Sequence, residues 1–146
     1  MALDRQGTGL TITRMFLGVF FIAEGLTKYR WFFNSSILAG RLQNWLEAAP
    51  AGSSSHWYLE HVTLPGVALF ARLVPLGELS CGVALLLGFQ TSLFAFIAFL
   101  LVLNFHFASR AMFQLAFLTN GYGLPVLGST LGLALGGVRL PWSVRK

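Results

Sequence analysis

The sequence predicts an all-α integral membrane protein, a bundle of four transmembrane helices with an amphipathic helical connector between the first and the second. Its 146 residues are 55% hydrophobic and only 10% charged. A soluble domain has about 25% charged residues, so this chain has too few to cover a surface facing water. Four apolar stretches approach the about 20 residues that a helix needs to cross a bilayer. We therefore expect residues 1–146 to form a single membrane domain.

The predicted transmembrane helices cover about residues 10–28, 66–89, 91–107 and 118–138. Only the short GFQTS segment joins the second and third, which predicts a tight antiparallel hairpin. The N-terminal stretch MALDRQGTG does not have the regions of a cleaved signal peptide, so we expect the first apolar run to remain as a membrane helix. Residues 108–117 form either a short interfacial segment or an extension of a neighbouring helix.

The connector, residues 29–65, has its own helical pattern. Apolar side chains recur at near-helical spacing after a Ser35–Ser36 start signal and before Pro50, at Ile37, Leu38, Leu42, Trp45 and Leu46. This pattern favours one or two amphipathic helices that lie on one membrane face.

The distribution of charge argues for a lipid bilayer, and against nucleic acid, as the partner of this chain. The formal charge is +5, but the basic residues are scattered and most lie at the ends of apolar runs. A nucleic-acid-binding protein would show a basic stripe or cluster. An even number of spans places both termini on one side, and the basic Arg145–Lys146 tail favours the cytoplasmic side.

Five charged residues lie within the predicted spans. Counted at about 1.5 Å per residue from the connector face, Glu24, Lys28 and Arg72 are near the rim of the membrane. Arg14 and Glu78 are deeper, at matching depths, and we predict that they form a buried polar pair. Glu24 is expected to pair either with Arg72 or locally with Lys28.

Two interpretations of the Arg14–Glu78 pair remain open. Charged residues inside a membrane are functional candidates, so the pair could form a polar pocket for a quinone head group or a proton path. The alternative is structural, in which a buried ion pair determines how the first helix docks on the second.

Glycines recur every fourth residue on one face of the fourth helix, at Gly128, Gly132 and Gly136, and Gly18 and Gly25 lie seven residues apart on a similar face of the first helix. Small residues at this spacing let helices approach closely. We favour packing inside the bundle over docking of a partner subunit.

Candidate ligand and catalytic residues are few. His106, at the end of the third helix, is a candidate ligand for a haem or a pigment, although an interfacial histidine bonded to water or backbone is the favoured alternative. No metal site is expected, because His56, His61 and Glu60 lack a further ligand and Cys81 is the single cysteine. The sequence contains no known catalytic motif, so any redox chemistry would require a cofactor or a partner.

Two stretches resemble the DoxX/DoxD family of membrane proteins. TRMFLGVFFIAEGLTKY contains the Arg, Gly, Gly and Lys of the family's first helix, and ARLVPLGELSCGVALLLGFQTS contains the Gly-Glu pair and LLLG of its second. HWYLEHVTLP and GGVRLPW are also similar to family segments. Ser92 departs from the pattern, because many members have Arg there.

The resemblance implies a four-helix membrane protein related to the membrane subunit of thiosulfate:quinone oxidoreductase. We expect a non-catalytic accessory subunit of a larger redox or photosynthetic complex in a prokaryotic cytoplasmic membrane. No intrinsic cofactor is expected, although a quinone, lipid or pigment could bind at the surface. The alternatives are the quinone-reducing subunit itself and a transporter-like protein that uses Arg14 and Glu78.

Overall fold

The computed structural model describes residues 5–144, so the Arg145–Lys146 tail lies outside the described residues. Within this range the chain folds into helices and turns without a β-strand. The helices are α1 (Arg5–Thr27), α2 (Tyr29–Phe33), α3 (Ser36–Ala48), α4 (Ser54–Tyr58), α5 (Val67–Leu87), α6 (Thr91–Ala108) and α7 (Leu124–Gly136). A π-helical turn, Leu59–Thr63, follows α4, and two 3-10 turns, Ala111–Phe113 and Leu115–Thr119, precede α7.

Three helices of the described chain, α1, α5 and α6, are long and apolar enough to cross a membrane. The all-α membrane class is therefore confirmed. The segment predicted as a fourth span forms a helix only over α7, whose 13 residues extend about 20 Å, less than the about 30 Å of hydrocarbon. Its N-terminal extension is limited because Pro125 provides no backbone N–H to continue a helix and Gly121 and Gly123 disfavour one.

Helices α1 and α5 pack against each other in antiparallel orientation through glycines. A Cβ atom on Gly82 would lie 2.6 Å from the backbone nitrogen of Ile22, and one on Gly18 would lie 2.8 Å from that of Leu86. A Cβ on Gly25 would likewise collide with Leu79. The two backbones can approach this closely only because these side chains are absent, and the contacts define the register of the two helices.

This register extends the N-terminal half of α5 beyond the end of α1. Lys28, which follows α1, is level with Glu78, so Gly66 projects about 18 Å further along the helix axis. The connector packs beside this projecting half, where Ala71 of α5 lies among its buried apolar residues. It also contacts α6, since Ser55 Oγ donates a 2.9 Å hydrogen bond to the carbonyl of Phe107.

The connector is also tied to α6 by a tyrosine. Tyr58 Oη donates a 2.6 Å hydrogen bond to Asn104 Oδ1. Burial raises the pKa of the Tyr58 phenol, and the hydrogen bond to Asn104 lowers it by less. At the start of α3 the Ser35 side chain makes no capping bond; instead Asn34 Oδ1 accepts from Ser36 N at 3.1 Å.

Two apolar cores are stacked along the helix axes. The first lies among the long helices and α7, with buried residues Leu17, Phe21, Cys81, Leu85, Ala95, Ala98, Val126, Leu133 and Leu140. The second joins the connector to α5 and α6, with buried residues Trp31, Leu38, Leu42, Leu59, Ala71 and Ala108. Between these cores lie Glu24 near the end of α1, Lys28 just after it and Glu78 in the middle of α5.

Candidate functional site

The buried charges at the junction of the two cores form a cluster around Lys28. Its Nζ atom donates to Glu24 Oε2 at 2.7 Å and to both carboxylate oxygens of Glu78 at 2.9 Å. Lys28 is only 6% exposed, and its Nζ atom lies 5.9 Å from the ring centres of Trp31 and Phe105. We call Glu24, Lys28 and Glu78 the charged cluster. It contains two carboxylates for one ammonium group.

The charged cluster changes the prediction that Glu24, Lys28 and Arg72 all lie near the rim of the membrane. Lys28 is buried at the level of the middle of α5, and the Glu24 side chain is 29% exposed. Arg72 is exposed and its Nη1 atom donates to the carbonyl of Ala68 on its own helix, so the expected Glu24–Arg72 pair does not form. The local Glu24–Lys28 pair, the alternative considered, is the one present.

The predicted pairing of Arg14 with Glu78 is wrong. Arg14 is fully buried, but its Nη1 donates to Ser143 Oγ at 3.2 Å and its Nη2 to the carbonyl of Trp142 at 3.0 Å. It lies against Gly88, where a Cβ would collide with the guanidinium group. The depth count failed because it placed Lys28 and Gly66 at one level, whereas the glycine register brings Lys28 to Glu78.

A cavity of about 250 Å³ adjoins the charged cluster between α1, α5, α6 and the loop before α7. Its walls contain the charged cluster, three phenylalanine rings, the end of α6 and the loop. The lining residues are Phe20, Phe21, Glu24, Lys28, Glu78, Leu101, Val102, Phe105, His106, Ser109, Ala111, Asn120 and Tyr122. The cavity thus combines an apolar, aromatic interior with buried charge.

His106 contributes a second polar group to the cavity wall. Its Nε2 atom lies 2.8 Å from the carbonyl of Tyr122, and because a carbonyl only accepts, this nitrogen carries the proton. The other ring nitrogen, Nδ1, is buried and has no hydrogen-bond partner among the described residues. The ring is 5% exposed and meets Phe117 edge-on at 5.0 Å. His106 therefore has one unused acceptor, the nitrogen through which any haem or pigment ligation would occur.

The polar residues of the cavity wall come from several elements of the fold. The predicted candidates Glu78 and His106 reach the cavity from α5 and α6, and the structure adds Asn120 and Tyr122 from the loop before α7. The unusual presence of Glu24 and Lys28 in one apolar run was a usable signal for the charged cluster. No sequence pattern pointed to Asn120 or Tyr122, because their position depends on how the loop folds back.

The glycines that were predicted to pack against other helices do so in α1 but largely not in α7. Gly18 and Gly25 lie between α1 and α5. A Cβ on Gly128 or Gly132 would meet no atom within 4 Å, and one on Gly136 would meet only Leu10, at 3.3 Å. The glycine face of α7 is thus largely directed away from the other described helices.

Residues 5–144 contain no group of three or more His, Cys, Asp or Glu side chains that could hold a metal ion. In the connector, His56 Nδ1 and His61 Nδ1 each lie 3.7 Å from Glu60 Oε2.

Comparison with known proteins identifies one family. The DoxX family model matches residues 9–111, which include most of α1, all of α2 to α6, the whole charged cluster and His106. Neither a curated protein nor a solved structure matches the chain.

Proposed function

The chain belongs to the DoxX family of membrane proteins, and from this premise we propose that it is an accessory subunit of a membrane redox complex whose cavity binds the head group of a quinone. The proposal includes a prokaryotic cytoplasmic membrane as its location and cytoplasmic termini. The chain's own residues would bind and orient the head group, and electrons would come from partner subunits.

The cavity beside the charged cluster is the observation that supports this function. Small-molecule sites range upward from about 300 Å³, so a cavity of about 250 Å³ suits one ring with its tail outside, among the lipids. Phe20, Phe21 and Phe105 provide ring faces and edges for an aromatic head group. Ionisable groups inside a membrane are costly and mark functional sites by default.

The open face of α7 supports a role as a subunit. Gly128 and Gly132 leave a groove on a helix that is too short to span the membrane, and glycines at this spacing let a neighbouring helix approach closely. A transmembrane helix of another subunit would fit this groove, and lipid would cover it in the isolated protein.

A second candidate function is the quinone-reducing membrane subunit of a thiosulfate:quinone oxidoreductase. The position of Glu78 favours it, because a buried carboxyl group on the cavity wall can take up a proton and pass it to a ring that is being reduced. The quinone would then accept electrons from a partner that oxidises thiosulfate.

Binding is tested with a short-tailed benzoquinone and the purified protein in detergent, by isothermal titration calorimetry. We expect saturable binding that is lost in Val102→Trp, because the indole fills the cavity. Leu100→Trp is the matched control, since Leu100 is exposed on the other face of α6 and should leave binding unchanged. Absence of binding to the wild type, or equal loss in both variants, would overturn the proposed site.

The subunit role is tested by gentle purification from native membranes, followed by assays of quinone reduction. A larger assembly whose redox activity does not depend on thiosulfate supports the accessory role. Thiosulfate-dependent reduction favours the second candidate. A protein that migrates alone and lacks redox activity contradicts both.

A further inference from the structure

We infer that the cavity selects ligands that donate hydrogen bonds, so that it binds the dihydroxy form of a ring head group more tightly than the dicarbonyl form. This inference rests on the proposed function and specifies which redox form of the ligand the site prefers. It follows from a count of donors and acceptors on the cavity wall.

The charged cluster presents acceptors to the cavity. Lys28 has three N–H donors, and three carboxylate oxygens lie 2.7–2.9 Å from its Nζ atom. The ammonium group is therefore already engaged. Each carboxylate has about four lone-pair positions, so Glu24 and Glu78 keep acceptor capacity that Lys28 does not use.

His106 lines the cavity and has a further acceptor, its buried Nδ1 atom. Its Nε2–H is engaged by the carbonyl of Tyr122, which leaves Nδ1 as a lone pair without a donor among the described residues. An unpaired buried polar atom lowers the stability of the protein, and a ligand hydroxyl that donates to Nδ1 would remove this penalty.

The remaining polar groups on the wall do not reverse the excess of hydrogen-bond acceptors over donors. Asn120 Oδ1 accepts from the backbone nitrogen of Tyr122 at 2.9 Å, so its amide NH₂ is the group left to donate. Ser109 Oγ is directed to the carbonyl of His106 at 3.5 Å, and the Tyr122 side chain is 58% exposed.

A dicarbonyl ring has only acceptors, and in this cavity its oxygens would face carboxylates and a histidine lone pair. A dihydroxy ring can donate one hydrogen bond to His106 Nδ1 and another to Glu24 or Glu78, while Asn120 donates to a ring oxygen. The geometry thus favours the reduced form over the oxidised form of the same ring.

The test is anaerobic isothermal titration calorimetry of one short-tailed benzoquinone and its benzoquinol against the wild-type protein. We expect the benzoquinol to bind about tenfold more tightly, the ratio that corresponds to one well-formed hydrogen bond. In His106→Leu the preference should fall, and in His106→Gln, which keeps a side-chain acceptor, part of it should remain. His61→Leu, an exposed histidine in the connector, is the control and should keep the full preference.

If His106→Leu does not fold, Glu24→Gln provides the second measurement. It replaces one carboxylate oxygen by a donor on a side chain that is 29% exposed, and it should also reduce the preference. Equal affinities, or tighter binding of the benzoquinone, would overturn this inference while leaving quinone binding intact. If neither form binds the wild type, the proposed function itself is contradicted.

Discussion

Lys28 determines the electrostatics of the site at the scale of single residues. It neutralises one of two carboxylates and holds α1 to α5 across 50 positions of sequence. A buried ion pair in which one partner is removed leaves an uncompensated charge, which is more damaging than the loss of the attraction itself. The same side chain therefore shapes the cavity and joins two helices.

Lys28→Met should lower the free energy of unfolding by about 3–5 kcal/mol, because Glu24 and Glu78 would face each other without a cation. The measurement is SDS-titrated unfolding in mixed micelles, followed by circular dichroism. Arg72→Met is the control, with an expected change within about 0.5 kcal/mol, because Arg72 is exposed and bonds only to its own helix.

Lys28→Met combined with Glu78→Leu should recover most of the lost stability, since the remaining carboxylate of Glu24 is half-exposed. A Lys28→Met protein as stable as the wild type would contradict the assigned role of the cluster.

At the scale of elements, the contact between α1 and α5 positions the site. Gly18, Gly25 and Gly82 leave no room for a Cβ, so any shift of register along this contact would separate Lys28 from Glu78. The glycines of α7 also recur along one helix face, four residues apart rather than seven, but Gly128 and Gly132 have no such neighbours. Glycine recurrence alone thus does not distinguish a packed helix face from an open one.

Gly82→Ala should destabilise the protein by about 1–3 kcal/mol, because the new methyl group meets backbone atoms of Ile22 and Gly18. Gly128→Ala is the matched control in open space, where alanine should be neutral or stabilising by up to about 1 kcal/mol. The stabilities of the two variants are compared by thermal unfolding in the same detergent. Equal effects of the two substitutions would show that α1 and α5 do not pack through Gly82.

At the scale of the whole molecule, the two stacked cores give the protein two distinct ends. One end contains the connector. The other contains the turn between α5 and α6 and the C-terminal segment, where Val144 N donates to the carbonyl of Leu87 at 3.0 Å. Because α5 is about 30 Å long, these ends should lie on opposite sides of a bilayer.

In a Cys81→Ala background, Trp57→Cys and Val138→Cys should react with a membrane-impermeant maleimide from opposite sides of oriented vesicles. Trp57 is 58% exposed and Val138 is 66% exposed, and they lie at the two ends. The wild-type protein is the control and should not react, since Cys81 is 1% exposed. Reaction of both engineered cysteines from the same side would refute the two-ended arrangement.

The sequence by itself determined the class of the protein and three of its long helices. A run of about 20 apolar residues satisfies its own backbone hydrogen bonds as a helix, so α1, α5 and α6 follow from local composition. The resemblance to the DoxX family, confirmed by the family match, rested on local motifs as well. The short α7 had a local signal in Gly121, Gly123 and Pro125, which the prediction of a fourth span did not use.

Only the tertiary structure decided which charges meet. Lys28 pairs with Glu78, and Arg14 with the C-terminal segment, because close glycine contacts determine how far α1 and α5 are displaced along their axes. That displacement depends on two helix surfaces in contact, so it cannot be obtained by counting residues along either helix alone. The cavity depends on the same register and on a loop that brings Tyr122 to His106, a contact between residues 16 positions apart.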